Sequence, residues 1–275
     1  MLLKDKLAKL SKNEKAILAT NFYNFETLSG ILQAAKKKNR PVILQLSESS
    51  LTYLGLEVAT SMARAALNAY QVEGLLHLDH GSSIDIAHRC LDAGFDSVMI
   101  DASEKSFEEN VKITSQVVKI ASRYSANVEA ELGYVAKLGQ EQKASQYTQP
   151  EEAKIFAEQT GVNALAIAIG SAHGFYKEPP QLQLDLLARI HHATPVALVL
   201  HGSSGIPDSQ LKEAIKRGIV KVNLATETKN IFMKTLQDIL KHNEEIDLRR
   251  VFPQATDSVI RLIGEKLDVV SPETI

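Results

Sequence analysis

The chain has 275 residues and a single cysteine, Cys90. One thiol cannot close an internal disulfide or supply a thiolate cluster for a metal. Long apolar runs are missing too. Stretches such as Ala164–Ile169 have the length of a buried strand and fall far short of a membrane span. The opening segment MLLKDKLAKLSKNEK carries a charge every few residues and lacks the apolar core of a signal peptide, so a cytoplasmic setting is expected. Neither sign of charge dominates: 31 basic residues face 33 acidic ones, for a net charge of −2. Without a broad cationic field, neither a nucleic acid nor an anionic membrane is expected as a partner. No Pro/Gly/Ser linker and no internal repeat interrupts the chain, so residues 1–275 read as one domain.

What is present is an alternation. Short apolar runs at Ala16–Thr20, Pro41–Leu46, Gly74–Leu78 and Asp96–Ile100 read as strands, as do Asn127–Glu131, Asn163–Ile169, Pro195–Leu200 and Ile219–Asn223. Amphipathic segments of helical period lie between them, among them Phe25–Lys38, Glu57–Tyr70, Ser83–Ala93, Phe107–Tyr124 and Pro150–Thr160. Leu182–His191, Asp208–Arg217 and Thr226–His242 complete the set. Eight strands, each followed by a helix, predict an α/β fold, a single (β/α)8 TIM barrel. The first ten residues and Leu248–Leu267 are expected as extra helices at the two ends. A doubly wound open sheet needs a glycine-rich turn after its first strand, and Asn21-Phe22-Tyr23-Asn24 is not one.

In such barrels the reactive groups stand at the carboxyl ends of the strands. Those ends carry Asn21, Ser47, Asp79 with His80, Asp101, Glu131, His173, His201 and Asn223. His88, His191, His192 and His242 fall on helical patterns, where a surface position explains them. His77, inside a strand, reads as a hydrogen-bonded interior residue. His80, His173 and His201 match no local metal motif, but a barrel would bring all three to one rim. Three imidazoles with an open fourth position make a catalytic zinc arrangement. After the seventh and eighth strands, His201-Gly202-Ser203-Ser204-Gly205 and Asn223-Leu224-Ala225-Thr226 run into helices, where free N–H groups and hydroxyls suit a phosphate. Asp79 is either an orienting partner for an imidazole or a general acid/base beside the metal. Asp101 and Glu131 form a second metal position or offset cations inside the barrel. By strand alternation, an interior Lys221–Glu129 ion pair is expected.

The segments LHLDHG (around Asp79), VMIDAS, VEAELG, TGVNALAIAIGSAHGFY, VLHGSSGI and KVNLATE closely resemble the class II, zinc-dependent ketose-bisphosphate aldolases. The likeness runs in register from Asn21 to Thr228, and the Ala-Thr-Glu after Leu224 is most similar to the tagatose-bisphosphate branch. The resemblance implies that His80, His173 and His201 hold Zn²⁺ and that Asp79 is the proton donor and acceptor at the C4 oxygen. It implies dihydroxyacetone phosphate on Gly174, Gly202, Ser203, Ser204, Asn223, Leu224, Ala225 and Thr226, with Asn21 and Ser47 nearby. It further implies a monovalent cation (Na⁺ or K⁺) near Gly174 and Gly202, and an alternative metal position at Asp101 and Glu131. Arg261 corresponds to an arginine that reaches the far phosphate, in a homodimer or homotetramer.

The implied reaction is reversible cleavage of tagatose 1,6-bisphosphate or fructose 1,6-bisphosphate to dihydroxyacetone phosphate and glyceraldehyde 3-phosphate. One stretch departs from the family. Its Gly-Gly-x-Glu-Asp loop, whose glutamate exchanges the C3 proton, is replaced here by Tyr134-Val135-Ala136-Lys137-Leu138-Gly139-Gln140-Glu141-Gln142. Glu141 is the candidate base. The altered loop keeps open a related aldolase with a different ketose or aldehyde. A Schiff-base aldolase using Lys221 and a non-catalytic sugar-phosphate binder stand as minor alternatives.

Overall fold

A computed structural model of the chain describes residues 3–135, 147–176, 180–241 and 243–271. Its first four strands are β1 (Ile17–Asn21), β2 (Val42–Ser47), β3 (Gly74–Gly81) and β4 (Ser97–Ile100). The other four are β5 (Asn127–Leu132), β6 (Ala164–Ile167), β7 (Ala197–Leu200) and β8 (Ile219–Leu224). All pair in parallel in sequence order, and β8 returns to β1, closing the TIM barrel that the alternation predicts. Helix starts follow the strands closely because polar caps are in place. Asn24 forms a capping box with Thr27, and the Ser83 and Ser106 side chains accept from N–H groups of the next turn. One element was not expected, the helix Glu48–Leu54 after β2. Ser47 caps it and Gly55, at φ 83°, ends it after seven residues. So short a segment, rich in Ser and Thr, shows little helical periodicity.

Alternation along each strand makes two cores. Outward residues such as Leu18, Leu44, Leu76, Val98, Val128, Leu165, Leu198 and Val222 pack beneath the helices. Each such side chain contributes about 1.5–3 kcal/mol through burial. Inward residues Ile17, Ala19, Ile43, Met99, Ala164, Ala166 and Val199 form a second, smaller cluster with Leu3 and Leu7 of the helix Leu3–Lys12. The expected amino-terminal helix thus seals the barrel floor. The expected carboxy-terminal helix, Leu248–Val270, packs across Phe25–Lys38 and Thr226–Leu240. Barrel interiors are usually filled by branched aliphatic layers. Here only the floor is apolar; Gln45, His77, Glu129 and Lys221 are buried above it. That polar layer is what the rim groups rest on. Among the described residues, no helix is long and apolar enough to cross a membrane.

Candidate active site

Strict alternation would turn His80 away from a side on which Asp79 points inward. The β3–β4 register slips instead: Leu78 faces Val98, but Gly81 faces Ile100, so β3 carries one extra residue. His80 absorbs it with φ 53°, a left-handed conformation that costs a non-glycine residue about 1 kcal/mol or more. The bulge re-aims the side chain, as bulges beside active sites do. Asp79 and His80 therefore both reach the site.

His80, His173 and His201 converge, with ring centroids 4.7–5.8 Å apart and ligand atoms within 4.8 Å of one another. Their tautomers follow from their partners. Asp101 Oδ2, 2.8 Å from His80 Nδ1, can only accept when ionised, so Nδ1 carries the proton. Glu129 Oε1, 2.9 Å from His201 Nε2, likewise requires Nε2–H. The nitrogens left over, His80 Nε2 and His201 Nδ1, face each other at 3.0 Å. Two lone pairs at that distance repel unless a cation lies between them, which is the arrangement of a metal site oriented by carboxylates. In the chain itself a proton meets the same demand. Burial opposes charge on His80, but the bond to Asp101 and the nearby Asp79 and Glu131 carboxylates outweigh it and raise His80 to about 9. His173, buried beside the other two imidazoles, is lowered to about 3 and stays a neutral donor of its lone pair.

A second group, His80 with Asp101 and Glu131, also has ligand spacing. Glu131 Oε2 is buried without a hydrogen-bond partner, and burial together with the Asp101 charge pushes that carboxyl up to about 8. A cation close by would relieve both conditions. The donor sets thus fit zinc, through imidazoles and carboxylates at one open rim.

Asp79 lies against the imidazoles under three amides. Asn21 Nδ2 donates to it at 3.0 Å, Gln45 Nε2 at 3.3 Å and Asn223 Nδ2 at 3.5 Å. Burial alone would raise its pKa, but His80, His201 and the Asn21 bond outweigh that and hold it below the usual carboxylate range. The amide oxygens of all three residues have no partner of their own. Asn21 and Gln45 commit their amides to Asp79, whereas the Asn223 amide nitrogen also lies 3.0 Å from His201 Nε2.

Beneath this layer the expected ion pair is present. Lys221 Nζ lies 2.6 Å from Glu129 Oε2, and neither residue is more than 3% exposed. Lys221 also donates to His77 Nε2 at 3.3 Å, which leaves His77 Nδ1–H for Ser97 Oγ at 2.5 Å. His77, buried and facing Lys221, is lowered to about 3, and it is the interior hydrogen-bonded residue that its strand position implied. Lys221 supports the imidazoles from below and does not open onto either rim cavity.

The β7 and β8 loops meet as a cradle. Gly174, Gly202, Ser203, Ser204, Asn223, Ala225 and Thr226 surround about 30 Å³, together with Asn21, Asp79, His173 and His201. Ser203 Oγ donates to the Asn223 carbonyl at 2.6 Å, and Ser204 Oγ accepts the Glu227 N–H at 3.1 Å, locking the loops together. Gly202 has φ 66°, and a Cβ there would stand 2.3 Å from the Ala172 carbonyl oxygen. The β6 and β7 loops are therefore in backbone contact. Tyr176 joins them, its hydroxyl accepting the Ala172 N–H and donating to the Gly202 carbonyl, both at 2.7 Å.

Most of the residues singled out in the sequence thus share one rim, with exceptions. Ser47 is spent on its helix cap and lines neither cavity. Leu224 faces outward into the helix-covered core, so only its backbone is near the cradle. Arg261 is exposed on the helix Leu248–Val270 and lines neither rim cavity. Glu141 lies outside the described residues, as does His242. Gln45 and Tyr176 were missed. Gln45 sits one alternation step below Ser47 on an inward position of β2, a polar residue in an apolar run that could have been noticed. Tyr176 carries no signal in one dimension.

A closed (β/α)8 barrel with convergent imidazoles, a clamped carboxylate and a cradle at the β7 and β8 loops defines a barrel enzyme of the metal-assisted kind. The chain belongs to the class-II fructose-bisphosphate aldolase family, whose model matches residues 2–273. It is an aldolase, a lyase, in a family that depends on zinc. It is 38% identical to the fructose-bisphosphate aldolase of Geobacillus stearothermophilus over 265 residues, covering 94% of this chain and 92% of the relative. It is 35% identical to the D-tagatose-1,6-bisphosphate aldolase subunit GatY of Klebsiella oxytoca, covering 96% and 95%. The crystal structure of the YdjI aldolase from Escherichia coli K12 superposes with a TM-score of 0.89 at 31% identity, covering 99% of this chain and 98% of that one.

Proposed function

We propose that this protein reversibly cleaves tagatose 1,6-bisphosphate or fructose 1,6-bisphosphate to dihydroxyacetone phosphate and glyceraldehyde 3-phosphate. The observation that carries the reading is the facing pair of imidazole lone pairs, His80 Nε2 and His201 Nδ1, beside a carboxylate that three amides contact and that the imidazoles and Asn21 hold ionised. His80, His173 and His201 are the zinc ligands, with Asp101 and Glu131 as an alternative position. When bound, zinc supplies Lewis-acid stabilisation of the negative charge that develops on the ketose oxygens, worth several kcal/mol. Gly174, Gly202, Ser203, Ser204 and the backbone around Asn223, Ala225 and Thr226 hold dihydroxyacetone phosphate by its phosphate and so fix the reacting carbons. Asp79 takes the C4 hydroxyl proton in cleavage and returns it in condensation. Its depressed pKa keeps it ready to accept at neutral pH. Glu141 is assigned the C3 proton.

The relatives named for both sugars support the pair of substrates and do not separate them. Lys221, wholly buried and bound to Glu129, speaks against a Schiff base. Gly174 and Gly202 both line the cradle, which supports a Na⁺ or K⁺ site there. The closed barrel supports a single domain.

The test is to incubate the protein with dihydroxyacetone phosphate in D₂O and follow its C3 proton by NMR, with and without chelator. Chelator-sensitive exchange is expected. Zinc-loaded protein that leaves the proton untouched contradicts the reading.

A further inference from the structure

His173 borders two cavities at the rim. One is the cradle; the other, of about 470 Å³, opens on the far side and is bounded by His80, Asp101, Ser103, Glu131 and Lys105. With dihydroxyacetone phosphate in the cradle and the imidazoles at the reacting carbons, the second cavity is the space left for the aldehyde. A volume of that size is roughly 10 Å across if spherical, room for a short carbon chain and a charged terminus.

The charges around it are unevenly committed. Asp101 is taken by His80 and by Ser103, whose hydroxyl donates to it at 2.7 Å. Glu104 is already partnered. Lys105 stands at the lip on a turn closed by its own N–H to the Ala102 carbonyl at 3.0 Å. Its side chain is exposed, and its ammonium makes no ion pair or hydrogen bond with a described residue. Apart from the imidazoles, it is the one cationic side chain among the described residues lining this cavity. Arg261, the arginine that the sequence offered for this purpose, does not line it.

We propose that Lys105 is a specificity determinant that selects aldehydes ending in an anion, a phosphate or a carboxylate, by pairing with that end at the cavity lip. This rests on the aldolase reading above. A lysine there acts as a point charge on a flexible stem, so it recognises charge and reach more than the shape of the anion.

The zinc-loaded wild type and the Lys105→Met and Lys105→Arg variants would condense dihydroxyacetone phosphate with three aldehydes. These are glyceraldehyde 3-phosphate, succinic semialdehyde and uncharged glyceraldehyde. The wild type should prefer at least one of the charged aldehydes, and which one identifies the anion. Lys105→Met should raise KM for that aldehyde about tenfold, the range of a partly exposed charge-assisted contact, while kcat changes little. Glyceraldehyde should change by less than about twofold, and Lys105→Arg should restore most of the loss. A wild type without preference for charge overturns the proposal, as does a Lys105→Met effect that is equal for all three aldehydes or absent. Deuterium exchange into dihydroxyacetone phosphate, run alongside, needs no aldehyde. If the wild type exchanges but shows no charge preference, this proposal alone fails; if it does not exchange, the aldolase reading fails and takes this one with it.

Discussion

Replacing Lys221 with methionine removes one charge and leaves the carbon stem almost unchanged in volume. The loss is severe because of where the charge sits. Lys221 is 0% exposed and Glu129 is 3% exposed, with 2.6 Å between Nζ and Oε2. Once the ammonium is gone, Glu129 is a buried carboxylate whose remaining partner is the His201 N–H. Breaking a buried pair from one side costs about 3–5 kcal/mol. At about 2–4 °C per kcal/mol for a domain of this size, the melting temperature should fall by roughly 6–20 °C.

The pH dependence carries a sign. Beside Lys221, Glu129 is held well below its ordinary pKa of about 4.3, despite a burial that works the other way. The wild type therefore has this stability above that pH and loses it as acid protonates the carboxyl. In Lys221→Met, burial without the cation raises the Glu129 pKa, so the variant is penalised as pH rises. The gap between the two melting curves should be widest near neutrality, narrow as pH falls to about 4.5 and the variant's carboxyl takes up its proton, and close further only in stronger acid, where the wild-type carboxyl does. The double variant Lys221→Met/Glu129→Gln leaves no unpaired charge and should recover about half of the loss or more. Calorimetric melts of the wild type, both single variants and the double variant, across pH, would decide. A Lys221→Met protein melting within about 2 °C of the wild type, or a gap that does not vary with pH, refutes the reasoning.

Glu129→Gln should also weaken zinc binding about 10–100-fold, read by competition with a chromophoric chelator, because Glu129 fixes the His201 tautomer. Asp79→Asn should keep its zinc, measured by metal analysis, and lose at least about a hundredfold in the rate of ketose cleavage. Gly202→Ala puts a Cβ 2.3 Å from the Ala172 carbonyl oxygen at φ 66°. It should cost at least about 1–2 kcal/mol of stability and weaken dihydroxyacetone phosphate binding, visible as a lower melting temperature and a higher dissociation constant by titration calorimetry. Cys90 is fully buried and its thiol is pushed up to about 12 by that burial, so a disulfide reagent at mild pH should label folded protein far more slowly than denatured protein. Prompt labelling of the native chain would contradict that burial.

Much of the architecture was readable in one dimension because barrel strands and their covering helices leave periodic marks. Leu18, Leu44 and Leu76 alternate with inward residues, and helix starts carry their Asn and Ser caps. The helix Glu48–Leu54 escaped because seven residues with one apolar turn have no period to detect. The candidate site was readable as a set of strand-end residues, and the tertiary structure brings most of them together. Ser47 shows the limit of that rule, since the same strand-end position serves equally well as a helix cap. Arg261 shows another, since a position on a helix says little about which way its side chain faces or which cavity it lines.

The sequence by itself determined the alternation of strands and helices and the chemical types at each strand end. Those properties follow from local sterics and from which side chains tolerate burial, and they survive without knowledge of the closed barrel. Only the tertiary structure decided that Asp79 and His80 point to the same place, because a one-residue slip against β4 breaks the alternation that sequence reading assumes. It alone decided that Gln45 joins Asn21 and Asn223 on one carboxylate, since amides 202 residues apart at their extremes, Asn21 and Asn223, meet only once β8 closes on β1. The tautomers of His80 and His201 were likewise beyond the sequence, because each is set by a carboxylate on a different strand, at a distance that exists only in the folded barrel.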